Sequence, residues 1–264
     1  MKIATFNVNS IGARLPRILE WFDKAKPDVA VLQEIKCVDE KFPRLEFEDR
    51  GYNVETHGQK TYNGVALLSK FPVEDVTRGL PLLDDGGDGD DQSRYIEALV
   101  TPETGAPVRV GGLYLPNGNP APGPKYDYKL SWMKRLKKHA QHLLELEEAF
   151  VLAGDYNVIP QSEDVHDPKA WAEDALFLPQ SRAAYREILH LGLTDAIRQA
   201  HPRAVLYTFW DYQRGAWEKD NGIRIDHLLM SPQAADRFKN AGVDRSERGK
   251  EKPSDHVPVW VELA

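Results

Sequence analysis

AFVLAGDYNVIP, residues 149–160, carries a short apolar run, Phe150-Val151-Leu152-Ala153, that stops at Gly154 and is followed at once by Asp155, Tyr156 and Asn157. Four consecutive apolar residues closed by a glycine read as a buried strand. Asp and Asn favour turns, so Gly-Asp-Tyr-Asn fits an ordinary turn. It fits equally a rigid strand holding a carboxylate and an amide over a cleft. The rest of the chain decides between them.

Similar runs recur at residues 3–6, 29–32, 65–68, 95–100, 108–113, 223–229 and 257–261. Many contain β-branched residues and are bounded by Gly, Pro, Asp or Asn, which predicts strands. Helical periodicity appears at 14–26, with Leu15, Ile18, Leu19 and Phe22 on one face, and at 129–150, with Trp132, Met133, Leu136, Leu143, Leu144 and Leu146. A third helical pattern covers 181–193, with Ser181 as its N-cap. The order is mixed: strand-helix-strand, several strands in succession, then helix-strand alternation. A purely alternating doubly wound fold does not read this way, whereas two packed sheets with helices outside do. Residues 79–93, 116–128 and 161–179 are long loops, of the length that often carries function. With no linker or low-complexity tail, one domain is expected over residues 1–264.

The composition narrows the class. The chain has 264 residues, 41% hydrophobic and 28% charged, which suits a globular protein with a sizeable core. No run of about 20 apolar residues occurs, so no membrane-spanning helix is expected. The start, MKIATFNVNS, lacks a long apolar segment and is a poor signal peptide. The single cysteine, Cys37, forms no internal disulfide, belongs to no zinc-like cluster and reads as a small buried residue. These features point to a reducing, cytoplasmic compartment. A net charge of −7 argues against DNA binding by bulk electrostatics, while leaving room for a basic face around an acidic cleft. No P-loop and no G-x-S-x-G occurs, which counts against NTPases and α/β-hydrolases.

Several predicted strand ends carry chemistry. Asn7 ends the first run, Glu34 the second, and Tyr114 and Asn117 follow the run at 108–113. Asp155 and Asn157 follow the opening stretch, Asp226 lies within IRIDHLL, and Asp255 and His256 precede the last run. Asn7 and Glu34 offer hard oxygen ligands suited to Mg²⁺. Asp155 and Asn157 suit holding or deprotonating a water. Asp226 or Asp255 could orient His256. Tyr114, Asn117 and His256 are donors for phosphoryl oxygens. Together these are the parts needed for attack of water on a phosphodiester.

The ordered set TFNVNS, LQEIK, YNGVALLSK, YLPNGN, LAGDYN, YTFWDY, RIDHLL and SDHVPVW resembles the exonuclease III family of abasic-site endonucleases, within the endonuclease/exonuclease/phosphatase superfamily. The likeness runs from Lys2 to Trp260. It implies an α/β fold, a four-layer α/β/β/α sandwich of two packed mixed sheets flanked by helices. It implies Mg²⁺ bound by Glu34 with Asn7 beside it and Asp255 in support, Mn²⁺ being able to substitute. Tyr114 and Asn117 would contact the scissile phosphate. Asp155 would activate the attacking water or manage the leaving-group proton, and Asn157 would position that water. Asp226 would orient His256 against the phosphate. On this resemblance, Asp155 and Asn157 belong to a strand that serves as a post.

The resemblance further implies a monomeric nuclease acting on double-stranded DNA, 5′ to abasic sites and at 3′ ends. The shared superfamily core also serves small-molecule and lipid phosphoesterases. The segment YTFWDYQRGAWEKDNGIRID favours DNA, because aromatic side chains wedge into base stacks or line a pocket for an extruded sugar. Phe209, Trp210 and Ile225 match the positions expected near that sugar, Arg94 matches an arginine facing DNA, and Lys125 is a weaker phosphate contact. Lys134, Arg135, Lys137 and Lys138 read as a solvated helix face, His139 and His142 as surface residues, and DDGGDGDDQ at 84–92 as a flexible acidic loop.

Overall fold

The computed structural model describes residues 1–82 and 90–264; most of the acidic stretch at 84–92, residues 84–89, lies outside the described residues. The chain forms strands β1 (Lys2–Asn7), β2 (Val29–Gln33), β3 (Asn53–His57), β4 (Val65–Ser69), β5 (Val73–Arg78), β6 (Tyr95–Val100), β7 (Val108–Tyr114), β8 (Phe150–Asp155), β9 (Thr194–Asp195), β10 (Asp226–Met230), β11 (Phe238–Val243) and β12 (Val259–Leu263). The helices are α1 (Ile11–Ala25), α2 (Arg44–Glu48), α3 (Pro124–Glu145), α4 (Pro179–Leu189), α5 (Ala196–Ala200) and α6 (Pro232–Ala235).

Two six-stranded sheets result, ordered β11-β12-β1-β2-β4-β3 and β5-β6-β7-β8-β10-β9. Each has the same plan. A central parallel pair, β1–β2 or β7–β8, is joined by a long helix, α1 or α3, and flanked on both sides by antiparallel strands. Parity within the strands shows why their apolar runs are continuous. Val151 and Ala153 of β8 face the other sheet, together with Ile3, Val29, Val31, Val110 and Leu228. Phe150 and Leu152 face outward onto Trp132 and Leu136 of α3 and Tyr185 of α4. In the first sheet Ala4, Phe6, Ala30 and Leu32 face outward onto Ile18, Trp21 and Phe22 of α1. The four layers are therefore helix, sheet, sheet, helix.

The helix boundaries differ from the periodicity. α1 starts at Ile11, where the Ser10 side chain accepts from the Ala13 N–H. α3 starts five residues before the expected 129, because Pro124 suits the first helical position, and it absorbs part of the presumed 116–128 loop. α4 starts at Pro179, so Ser181 is not its cap; the buried hydroxyl instead donates to the Ala175 carbonyl at 2.6 Å. His139 is also corrected. It lies on the buried face of α3, 2.7 Å from the buried Glu97 carboxylate, while His142 is exposed. Cys37 is half-buried, and burial pushes its thiol up to about 11.

Gly154 does not make a turn. β8 continues through it to Asp155, and an added Cβ would meet the Leu113 carbonyl oxygen of β7 at 2.0 Å. Backbone that close cannot rotate aside as a side chain can. Gly154→Ala is expected to destabilise the protein by about 3 kcal/mol, lowering Tm by about 6–12 °C. A Tm within a degree of wild type would show that β7 and β8 can spread at no penalty.

Candidate active site

The layer between the sheets changes from apolar to polar at one end. Asn7 continues the inward parity of Ile3, Tyr114 that of Val108 and Val110, and Asp155 that of Val151 and Ala153. Asp226, at the start of antiparallel β10, pairs in register with Asp155, which also pairs with Tyr114. The carboxyl ends of the parallel strands and the amino ends of their antiparallel neighbours thus deliver polar groups to one point, the usual location of a cleft in such sheets. Glu34 follows inward-facing Gln33 and would by alternation face outward. Its φ of 51°, in the left-handed region, re-aims it into the cleft.

These side chains interlock. The Asn7 Nδ2 donates to Glu34 Oε1 at 2.8 Å and to Asp155 Oδ2 at 2.9 Å, and its Oδ1 accepts from the Asn9 N–H. Asn7 therefore turns its nitrogen to the two carboxylates and holds them together, which departs from the expectation that it stands as an oxygen ligand. His256 Nδ1 lies 2.9 Å from Asp226 Oδ2, and its Nε2 lies 3.7 Å from Asp155 Oδ2. Asp226, rather than Asp255, orients the imidazole. The Asp255 carboxylate accepts from Asn9 Nδ2 at 3.1 Å and from Ser254 Oγ at 3.3 Å, beside the cleft. Asp155 Oδ1 accepts from the Asn157 N–H, and Asn157 Oδ1 accepts from Asn117 Nδ2 at 3.2 Å.

Protonation follows from burial and neighbours. Burial pushes the Asp155 carboxyl up, His256 opposing and Asp226 adding to the shift. Burial works against a charged His256, but Asp226 and Asp155 outweigh it and raise the imidazole to about 10. His256 is therefore protonated at neutral pH and is a donor with no lone pair for a metal. Burial, with the Glu34 and Asp155 charges, holds the Tyr114 hydroxyl well above its usual value, so it stays a donor. For Glu34 burial raises the carboxyl, but the Asn7 hydrogen bond and the Lys36 charge, 2.9 Å away, bring it below its usual value.

Ligand atoms of Glu34, Asp155 and His256 lie within 4.8 Å of one another. With His256 protonated, the two carboxylates remain as hard oxygen donors, a set that fits a small divalent cation. The cleft, about 260 Å³, is lined by these groups and by Asn117, Asn157 and Asp255. Its apolar wall comes from Trp171, Leu176, Phe209, Ile223 and Ile225.

Not every candidate reaches the cleft. Phe209 does, its ring 5.0 Å from that of His256. Trp210 is corrected: as the next residue in extended backbone it points the opposite way, fully buried, with its ring 5.0 Å from Trp217 and its Nε1 donating to Asp220. Arg94 is half-exposed and does not line the cleft; its guanidinium lies 4.9 Å from the Tyr114 ring centre and donates to the Tyr114 carbonyl. Lys125 is exposed in the first turn of α3 and lines no part of the cleft. Sequence reasoning missed Asn9, Lys36, Lys129, Trp171, Asp174 and Ile223. Trp171 and Asp174 fall in the 161–179 segment, which its length had marked; nothing in the pattern around Lys129 distinguishes it from a surface lysine.

Comparison with known proteins agrees with this geometry. Residues 4–256 match the Endonuclease/Exonuclease/phosphatase family. Exodeoxyribonuclease III of Haemophilus influenzae is 34% identical over 271 residues, covering all of both chains. An AP endonuclease from Archaeoglobus fulgidus superposes with a TM-score of 0.92 at 38% identity, covering 100% of this chain and 99% of the other. The 3′ phosphatase NExo from Neisseria, solved bound to product DNA hairpin, does so with a TM-score of 0.93 at 39% identity and the same coverage. With the sandwich, the Asp226–His256 pair and the paired carboxylates all in place, the chain belongs to the endonuclease/exonuclease/phosphatase family, among the exonuclease III and AP endonuclease members.

Proposed function

We propose that the protein is a Mg²⁺-dependent DNA repair nuclease that hydrolyses the phosphodiester 5′ to an abasic site, leaving a 3′-hydroxyl, and that also trims 3′ ends of duplex DNA. The observation that carries this reading is the juxtaposition of the Glu34–Asn7–Asp155 carboxylate pair and the Asp226–His256 dyad with the Phe209, Ile223 and Ile225 wall. The wall suits a sugar turned out of the duplex, and the polar floor suits the phosphate beside it.

Glu34 and Asp155 are the residues that would hold Mg²⁺, with Asp255 nearby. When bound, the ion supplies positive charge at the phosphate and at the leaving oxygen. The protonated His256 and the Tyr114 hydroxyl donate to phosphoryl oxygens, and Asn117 adds a third donor. Asp155, its carboxyl raised by burial, takes up the proton of the attacking water, which Asn157 positions. Asp226 keeps the His256 ring oriented and charged. On this reading the protein works as one catalytic domain, as a monomer and in the cytoplasm; its single cysteine suits a reducing compartment.

The test uses two end-labelled duplexes, one containing a stable abasic analogue and one undamaged, each with Mg²⁺ and with chelator. The expected result is a single Mg²⁺-dependent incision 5′ to the analogue, with a 3′-shortening ladder on both. A folded protein that cuts neither duplex but hydrolyses inositol phosphates would move the reading to a small-molecule phosphoesterase.

A further inference from the structure

Lys129 lies in the second turn of α3 and is fully buried. Its Nζ donates to the Asn117 carbonyl at 3.0 Å and to the Asn157 carbonyl at 2.5 Å. Those two residues belong to different segments, one leaving β7 and one leaving β8. Their side chains meet through Asn117 Nδ2 and Asn157 Oδ1, and Asn157 Nδ2 donates to the Leu115 carbonyl at 2.9 Å. Asn157 is itself held at a left-handed φ of 47°. Room for the lysine comes from Gly118, at φ 91°, where a Cβ would lie 2.6 Å from Lys129 Cδ.

Burying an ammonium is expensive unless its donors are met. An apolar side chain of the same shape would pack in this position without that penalty. It would leave the buried Asn157 carbonyl and the part-buried Asn117 carbonyl without this donor, and the two segments free to part. Burial lowers the Lys129 ammonium to about 7, so it is the N–H donors rather than a full charge that fix one geometric relation, the spacing between the backbone of Asn117 and that of Asn157.

We propose that Lys129 is a positioning residue for phosphodiester hydrolysis: it pins these two carbonyls so that the Asn117 and Asn157 side chains converge on the phosphate and its attacking water. It touches no substrate. The proposal rests on the nuclease reading above, and cleavage by the wild-type protein in the same assay tests that reading separately.

Steady-state cleavage of the abasic-analogue duplex is compared for wild type, Lys129→Met, Lys129→Arg, Asn157→Ala and the Lys129→Met/Asn157→Ala double variant. Lys129→Met is expected to lower kcat by about tenfold to a hundredfold, the usual effect of misplacing reacting groups by an ångström, with KM changed less than about threefold. In the Asn157→Ala background it should lower kcat by no more than about twofold further, since the two act as one unit. Lys129→Arg keeps N–H donors at this position and should stay within about fivefold of wild type. A folded Lys129→Met with wild-type kcat, a loss shared equally by kcat and KM, or an additive loss in the double variant overturns the proposal. If Lys129→Met does not fold, a folded Lys129→Arg that loses as much kcat as Asn157→Ala overturns it.

Discussion

Asp155→Asn is expected to lower kcat for cleavage of abasic duplex by about a thousandfold or more, with the Kd for DNA changed less than about threefold. The amide occupies the same volume, and its oxygen can still accept from Asn7 Nδ2, as the carboxylate does at 2.9 Å. It cannot take up a proton from water, and general base catalysis of this kind contributes about 10²–10⁴-fold. It also removes one of the negative charges that keep His256 protonated and one of the two carboxylates that would hold Mg²⁺. Single-turnover rates on the labelled duplex, set beside equilibrium binding of the same duplex, separate loss of chemistry from loss of binding. A variant with near-normal rate would remove Asp155 from the chemistry, and a proportional loss of binding would make it a structural group.

Glu34→Gln should act through the metal alone. The wild-type protein is expected to lose all cleavage in chelator and to regain it on adding Mg²⁺. Replacing one of two carboxylate donors should raise the Mg²⁺ concentration needed for half-maximal rate by about tenfold or more, judging from the tenfold to hundredfold losses seen even when groups behind the ligands are altered. Lys36, 2.9 Å from Glu34, would be left without its partner carboxylate, adding unbalanced positive charge where the ion must bind. Metal titrations of the rate for the two proteins decide the point. An unchanged half-saturation would place the cation elsewhere, with Asp255 the next carboxylate to examine.

The two substitutions divide the labour of a pair that the sequence presents 121 residues apart, at Glu34 and Asp155. The likeness of the eight motifs to the exonuclease III family reached the same family as the comparison of whole chains, and the expected sandwich is the one observed. The eight apolar runs legible in the sequence correspond to β1, β2, β4, β6, β7, β8, β10 and β12. These are the interior strands of the two sheets, mostly covered on both faces and therefore mostly apolar, with a few polar residues such as Glu97 in β6 and Arg109 in β7. The four that periodicity did not reveal, β3, β5, β9 and β11, are the four edges. An edge strand meets water, so a segment such as Val73–Arg78 carries charged residues and yields no apolar run.

Within the site the division has the same physical origin. A strand alternates its side chains, so residues at strand ends can be assigned to a face once the buried parity is known, and Asn7, Tyr114, Asp155 and Asp226 follow from that rule. Three matters needed the folded chain. Phe209 and Trp210 are adjacent and both aromatic, and only packing against His256 on one side and Trp217 on the other decides which faces the cleft. Glu34 enters the cleft through a left-handed backbone that a glutamate does not announce. Lys129 reads as one more lysine on an amphipathic helix, and it becomes a buried clamp only because the carbonyls of Asn117 and Asn157 arrive from two other parts of the chain. The sequence by itself determined the family, through the resemblance of its ordered motifs, and the interior strands and the chemical identity of the groups, which depend on composition and local period. Tertiary structure alone decided which polar groups meet, because that depends on long-range backbone approach, which no local pattern records.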